Sequence, residues 1–172
     1  MYGLKIDETL LDSVIKGTKS GLSMAEIDPV PIGASRFITA NHPYSVLVSL
    51  YGEQNGQLTL NLTERAVLFL SAQLLCEEKP NTEVTEEDLD AICEIGNIVA
   101  GRYKELLKGT PFEFTAISLP ALVVGASYNL YHTRGITTVS VEFEISELGV
   151  ANMHDKFFTS AISLMRRSGR GA

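Results

Sequence analysis

The longest amphipathic pattern in the chain covers residues 85–107 and predicts a helix. Thr85 and Asp88, three residues apart, match a capping box, which predicts that the helix begins there. At about 100° per residue, the apolar positions gather on one side, as expected of a helix that packs on a core. These positions are Leu89, Ile92, Cys93, Gly96, Val99, Ala100, Tyr103, Leu106 and Leu107.

A second stripe on this helix is polar and consists of Asp90, Glu94, Asn97 and Gly101. Gly101 and the nearby Gly96 each cost about 1 kcal/mol relative to alanine, and two like charges four residues apart repel each other. An unneutralised carboxylate beside an amide suits a face that receives another molecule carrying its own cation. The alternative is structural: Glu94 is merely solvated, Asn97 is an ordinary polar residue, and the glycines let helices pack closely.

Two further helices precede this one, and a third is predicted after it. Asp7 is a candidate N-cap for a helix over residues 7–20, and Thr63 caps a helix that runs from Glu64 to Cys76. The second helix is apolar nearly all round and is therefore expected to be buried. An apolar stripe also predicts a C-terminal helix at residues 150–167. Its members are Met153, Phe157, Ala161, Leu164 and Met165.

Period-two alternation predicts the strands. Residues 45–51 and 57–62 flank Asn55 and Gly56, a strong hairpin signal. Residues 112–118 and 122–124 flank Pro120, which marks a strand start, an edge or a bulge. A second hairpin is expected from residues 128–132 and 136–145. Together these elements predict a single α+β domain, residues 1–172, in which the first, second and central helices cover one face of an antiparallel sheet.

Composition narrows the range of functions. The 172 residues carry a net charge of −7 with only 14 Lys and Arg, which argues against a nucleic-acid partner. No apolar run is long enough to span a membrane and the N-terminus does not resemble a signal peptide, so we expect a cytoplasmic protein. Cys76 and Cys93 are assigned to packing. Neither these cysteines nor the three histidines have the spacing of a metal site, so no metal is expected.

Four residues of the central region carry a family resemblance. Asp90, Glu94 and Asn97, followed after twenty-two residues by Pro120, resemble the signature of the CheC/CheX/FliY chemotaxis phosphatases. The run from Glu94 to Gly101 is similar to the CheX form. The first helix has no second Glu-x-x-Asn motif, which favours the CheX arrangement with one site per chain over the CheC arrangement with two.

The resemblance implies a function and roles for these residues. Members of this family dephosphorylate the phosphoaspartate of a CheY-like response regulator, which itself carries the Mg²⁺ and a lysine. By resemblance, Asn97 would orient the attacking water and Glu94 would pair with that lysine. Asp90 and Gly101 would contact the partner, whereas Gly96 and Pro120 would be structural. No cofactor of its own is expected.

The sequence also leaves an alternative function open and predicts an oligomeric state. The chain could instead be a non-catalytic, CheC-like binding or regulatory module that uses the same face. CheX-like proteins pair through their sheets, and the apolar strand at residues 136–145 was expected to need cover, so a homodimer is predicted.

Overall fold

A computed structural model describes residues 5–38, 41–125, 136–149 and 152–165. Three helices and seven strands make up the described fold, together with short 3-10 helices at Ser23–Ala25 and Met153–Lys156. The α-helices are α1 (Glu8–Leu22), α2 (Glu64–Leu74) and α3 (Glu86–Leu106). The strands are β1 (Val30–Ser35), β2 (Tyr44–Gly52), β3 (Gly56–Leu62), β4 (Phe114–Ile117), β5 (Ala121–Val124), β6 (Ile136–Glu144) and β7 (Phe157–Met165).

All seven strands form one antiparallel sheet. Its order is β1-β6-β7-β3-β2-β4, and β5 also pairs with β2. The hairpin predicted at Asn55-Gly56 is present, with β2 and β3 in register from Tyr44 opposite Leu62 to Leu50 opposite Gly56. The predicted fold class, an antiparallel sheet with helices packed on it, is confirmed.

α1 and α3 pack together on one face of this sheet and share a core with it, and α2 packs against α3. α3 contacts β2, β3, β4 and β5, whereas α1 contacts β6 and β7. Alternate strand residues such as Leu58, Leu60 and Leu62 of β3 are buried in that core. The sheet side of α3 is therefore fixed by burial of apolar surface, the dominant favourable term in folding.

A buried polar contact joins α3 to both α1 and the sheet. The Tyr103 hydroxyl lies 2.6 Å from Ser160 Oγ and 3.0 Å from Thr18 Oγ1. Burial raises the pKa of Tyr103 to about 12, while hydrogen bonds with Ser160 and Thr18 act in the opposite direction. A Cβ on Gly17 would lie 2.4 Å from the Tyr103 ring, so α1 approaches α3 closely there. This contact fixes the C-terminal half of α3.

The C-terminal helix predicted at residues 150–167 is wrong. A short 3-10 helix, Met153–Lys156, is followed by the nine-residue strand β7. β7 lies between β3 and β6, and the seven residues from Phe158 to Leu164 are all buried. The buried Thr159, Ser160 and Ser163 obscure the period-two alternation of a half-buried strand, so the remaining apolar residues matched a helical stripe.

One of the two reasons given above for a homodimer, that the strand at residues 136–145 needs cover, is also wrong. The strand at residues 136–145 is not an edge, because β6 is paired with β1 on one side and β7 on the other. The outer strands of the described sheet are β1 at one edge and β4 and β5 at the other. The partner strand predicted for the second hairpin, residues 128–132, lies outside the described residues.

Candidate functional site

A buried carboxylate fixes the start of α3. Thr85 and Asp88 form the predicted capping box. Asp88 also accepts hydrogen bonds from Ser71 of α2 and from the Asn81 amide. Burial raises the pKa of Asp88, but the hydrogen bonds from Ser71, Thr85 and Asn81 outweigh it and hold that pKa below its usual value. The Asp88 carboxylate thus ties α3 to α2 and to the segment between them.

Two close approaches set how α3 is rotated about its axis. A Cβ on Gly96 would lie 2.5 Å from Val46 Cγ1 of β2, so this side of α3 faces the sheet. A Cβ on Gly21 of α1 would lie 2.5 Å from Val99 Cγ2, so Val99 faces α1. Residues two apart on a helix differ by about 200° in direction. Asn97 therefore points almost directly away from α1, towards the side of the sheet that carries β4 and β5.

The polar stripe predicted from the sequence lies on this open side. Asp90 and Glu94 are exposed and Asn97 is half-buried. None of the three side chains makes a hydrogen bond or ion pair with any residue that the structure describes. A Cβ on Gly101 would have nothing within 4 Å, so the helix backbone is accessible at that point. The four stripe residues thus lie together on an accessible surface, and no described side chain pairs with Asp90, Glu94 or Asn97.

The two glycines of α3, Gly96 and Gly101, differ in environment. Gly96 is buried against β2, where its lack of a side chain lets the helix and sheet approach each other. Gly101 has open space above it, and no described neighbour requires a glycine there. Close packing accounts for the glycine at position 96 but not for the glycine at position 101.

Pro120 lies at the edge of the sheet that is beside α3. β4 and β5 both pair with β2, β4 opposite Leu50 to Gly52 and β5 opposite Tyr44 to Leu47. The segment between them, residues 118–120, interrupts this edge next to the point where Gly96 crosses β2. The sequence motif therefore joins two structural features, a helix face and a break in an edge strand, that are adjacent in space.

The residue before Pro120 was not singled out in the sequence. Leu119 is 88% exposed, more than any other large apolar residue among those described. No signal in the sequence indicates this exposure, because the position before proline favours an extended backbone and does not determine burial.

The remaining reactive side chains among the described residues form no second site. Both cysteines are free. Cys93 is half-buried, and burial and the nearby Asp90 raise the pKa of its thiol. Cys76 is exposed, so its assignment to packing is wrong. Within the described ranges, no three His, Cys, Asp or Glu side chains are grouped as a metal would require.

Comparison with known families identifies the relatives of this chain. The profile described as "Chemotaxis phosphatase CheX" matches residues 44–144, which is more than half of the 172 residues and includes the whole motif. The chain belongs to the CheX family. The resemblance inferred from the motif is therefore confirmed, and comparison with curated proteins gave no match.

Solved structures with the same fold include other CheX and CheC-like proteins. A CheC-like protein from Shewanella sp. PV-4 has a TM-score of 0.76 at 20% identity, over 92% of this chain and 99% of the other. CheX from Desulfovibrio desulfuricans gives 0.74 at 18% identity, over 90% and 98%. The Borrelia burgdorferi CheX–CheY–BeF₃–Mg²⁺ complex gives 0.71 at 20% identity, over 94% and 100%. At these identities the likeness establishes the fold.

No helix in the described part of this CheX-family protein is both long and apolar enough to cross a membrane.

Proposed function

We propose that this protein is a phosphatase that removes the phosphoryl group from the phosphoaspartate of a CheY-like response regulator. The observation that carries the proposal is the open side of α3, where Glu94 and Asn97 have no partner among the described residues although the helix itself is well anchored. Family membership and the solved Borrelia burgdorferi CheX–CheY complex support the choice of partner. Such a partner would place the reaction in the cytoplasm.

Asn97 is assigned to the attacking water. A carboxamide is neither a nucleophile nor a useful base at neutral pH, but it has both a donor and an acceptor with which to orient a water in line with phosphorus. Phosphoryl transfer depends mainly on positioning and electrostatics, so one correctly placed amide contributes substantially to the rate. The half-buried position of Asn97 on a fixed helix restricts the directions in which that amide can point.

Glu94 is assigned to a lysine of the regulator. Its exposed carboxylate has no partner among the described residues, so a cation brought by the regulator would find it available. Asp90 and Gly101 border the same surface and are assigned to partner contact. The Mg²⁺ belongs to the regulator in this mechanism, and the phosphatase contributes no cofactor.

A homodimer remains part of the proposal, but through a different strand. β1 has an unpaired outer side in the described sheet, and all six of its residues are exposed. Val30 and Ile32 are among the exposed apolar residues of this strand. An exposed edge of this kind can pair with a second copy. A monomeric mass by light scattering at micromolar concentration would contradict the dimer.

The test is phosphate release from a panel of phosphorylated CheY-like receiver domains, with and without the protein. We expect faster release from at least one receiver. Glu94→Lys should weaken binding of that receiver and slow release through like-charge contact, whereas Glu147→Lys makes the same charge change at an exposed turn after β6 and should have little effect. Equal activity of Glu94→Lys and Glu147→Lys would show that the stripe is only a solvated helix face.

The non-catalytic alternative gives a different result in the same assay. A binding module would retain the receiver with its phosphoryl group intact, and Asn97→Ala would then change nothing.

A further inference from the structure

We propose that Leu119 is the apolar contact through which this protein holds its response regulator. The inference rests on the proposed function and adds a residue that determines affinity, outside the Asp-Glu-Asn-Pro motif. It follows from the exposure of Leu119, the way its segment is held, and its position relative to Asn97.

Leu119 is exposed on a fixed segment. The Ser118 amide donates to Ser49 O at 2.9 Å, and the Ser49 amide donates to Ser118 Oγ at 2.9 Å. The Ser118 hydroxyl in turn donates to the carbonyl of Leu119 at 2.7 Å. Pro120 restricts the backbone immediately after it. An apolar side chain held outward in this way loses little further freedom when a partner covers it, which favours binding.

Leu119 also lies on the Asn97 side of α3. Ser118 is hydrogen-bonded to Ser49 of β2, the residue that follows Val48. A Cβ on Gly96 of α3 would lie 3.9 Å from Val48 Cγ2. Neighbouring strands are about 4.8 Å apart, so the segment borders the strand over which α3 crosses. Asn97 points away from α1 and hence towards this edge. A partner that reaches Asn97 from that side would therefore approach the segment that carries the exposed Leu119.

The composition of residues 114–125 and of the adjoining face of α3 favours a response regulator, rather than a second copy of this chain, as the partner bound here. No charged residue occurs from Phe114 to Gly125, whereas the adjoining helix face carries Asp90 and Glu94. Such a surface fits a partner with a lysine beside an apolar patch. Pairing with another strand is disfavoured, because β4 and β5 have only four residues each and the residues between them include Pro120.

The experiment uses the receiver domain that releases phosphate fastest in the panel, loaded with beryllofluoride and Mg²⁺. Covering a leucine side chain corresponds to roughly a tenfold to hundredfold change in affinity. We therefore expect Leu119→Ser to raise the dissociation constant for the beryllofluoride-loaded receiver by about that factor. With the phosphorylated receiver at saturating concentration, the rate of phosphate release should stay within roughly threefold of that of the unaltered protein. Leu119→Met, which remains apolar, should restore affinity.

Met24→Ser is the matched control, because Met24 is also a large exposed apolar residue but lies just after α1. Equal affinities for Leu119→Ser and Met24→Ser would overturn the proposal, and so would a change of molecular mass in Leu119→Ser, which would make a second copy the occupant. Failure of the unaltered protein to bind any receiver would overturn the proposed function as well. Binding that is insensitive to Leu119 overturns only the present inference.

Discussion

Asp88 and Glu94 are carboxylates six residues apart on the same helix, yet their surroundings are opposite. Asp88 is fully buried and accepts hydrogen bonds from Ser71, Asn81 and Thr85. Glu94 is exposed and has no hydrogen bond or ion pair with a described residue. A buried charge requires partners within the chain, whereas an exposed one is free to take them from another molecule. The first carboxylate therefore stabilises the fold, and the second is available for function.

The glycines on α3 repeat this contrast. Gly96 is buried against Val46, whereas a Cβ on Gly101 would have no described neighbour within 4 Å. On one helix, the flank towards the sheet and the other helices is fully used by the protein itself, and the opposite flank is left open. Substitutions on the two flanks should therefore separate stability from activity.

The largest effect is expected at Asn97. Asn97→Ala should lower phosphatase activity by roughly 10² to 10³, the scale for loss of one transition-state hydrogen-bonding group. Receiver affinity should stay nearly unchanged, and the free energy of unfolding should not fall, because alanine favours a helix more than asparagine does. Single-turnover dephosphorylation, receiver binding and denaturant unfolding measure these quantities. Full activity in Asn97→Ala would rule out the water-orienting role.

Asp88 should show the reverse behaviour. Asp88→Ala leaves the Ser71 hydroxyl and the Thr85 amide without their acceptor, so the free energy of unfolding should fall by about 2–4 kcal/mol. The control is Asp90→Ala, two residues along the helix on the open flank, for which we expect a change within about 0.5 kcal/mol. Urea unfolding of the two variants measures the difference. Similar losses of stability in both variants would show that the buried, hydrogen-bonded Asp88 carboxylate contributes no more to stability than the exposed Asp90 carboxylate does.

The central helix could be predicted from the sequence because its signals are local. The Thr85–Asp88 capping box and the polar stripe depend only on residues within a few turns of one another, as does the hairpin at Asn55-Gly56. The assignment of β7 as a helix was wrong because its burial is decided by β3 and β6, which are distant in sequence.

The site was predicted in part for the same reason. Asp90, Glu94 and Asn97 share a helix, so their common face follows from spacing alone. The difference in environment between Gly96 and Gly101 cannot be predicted from spacing, because it depends on where β2 passes beneath the helix. Leu119 could not be predicted as a site residue because the position of its segment beside β2 depends on the pairing of both β4 and β5 with β2.

Smaller effects on stability are expected when the two glycines of α3 are replaced by alanine, and the two effects should have opposite signs. Gly96→Ala would place a methyl group 2.5 Å from Val46 Cγ1 in the core, so strain should outweigh the gain in helix propensity and lower stability by about 1–2 kcal/mol. Gly101→Ala meets no neighbour and should raise stability by about 0.5–1 kcal/mol. If the regulator covers this position, Gly101→Ala should also weaken receiver binding. Thermal or urea unfolding that gave the same sign for both would contradict the contrast between the flanks.

The smallest effect is the pH dependence of the Asp88 contribution. Hydrogen bonds hold the pKa of Asp88 below its usual value despite burial, so the folded state favours the ionised carboxylate. A depressed folded-state pKa contributes stability that is fully present above the unfolded-state value of about 3.9 and is lost as the pH falls through the lower folded-state value. Asp88→Asn mimics the protonated group, and comparison with it removes the contribution of the other carboxylates. The difference in unfolding free energy between the unaltered protein and Asp88→Asn should therefore be constant near neutral pH and shrink on acidification below about pH 4. Urea unfolding at a series of pH values measures it, and a difference that stays constant or grows as the pH falls would show that the folded state does not favour the charged form of Asp88.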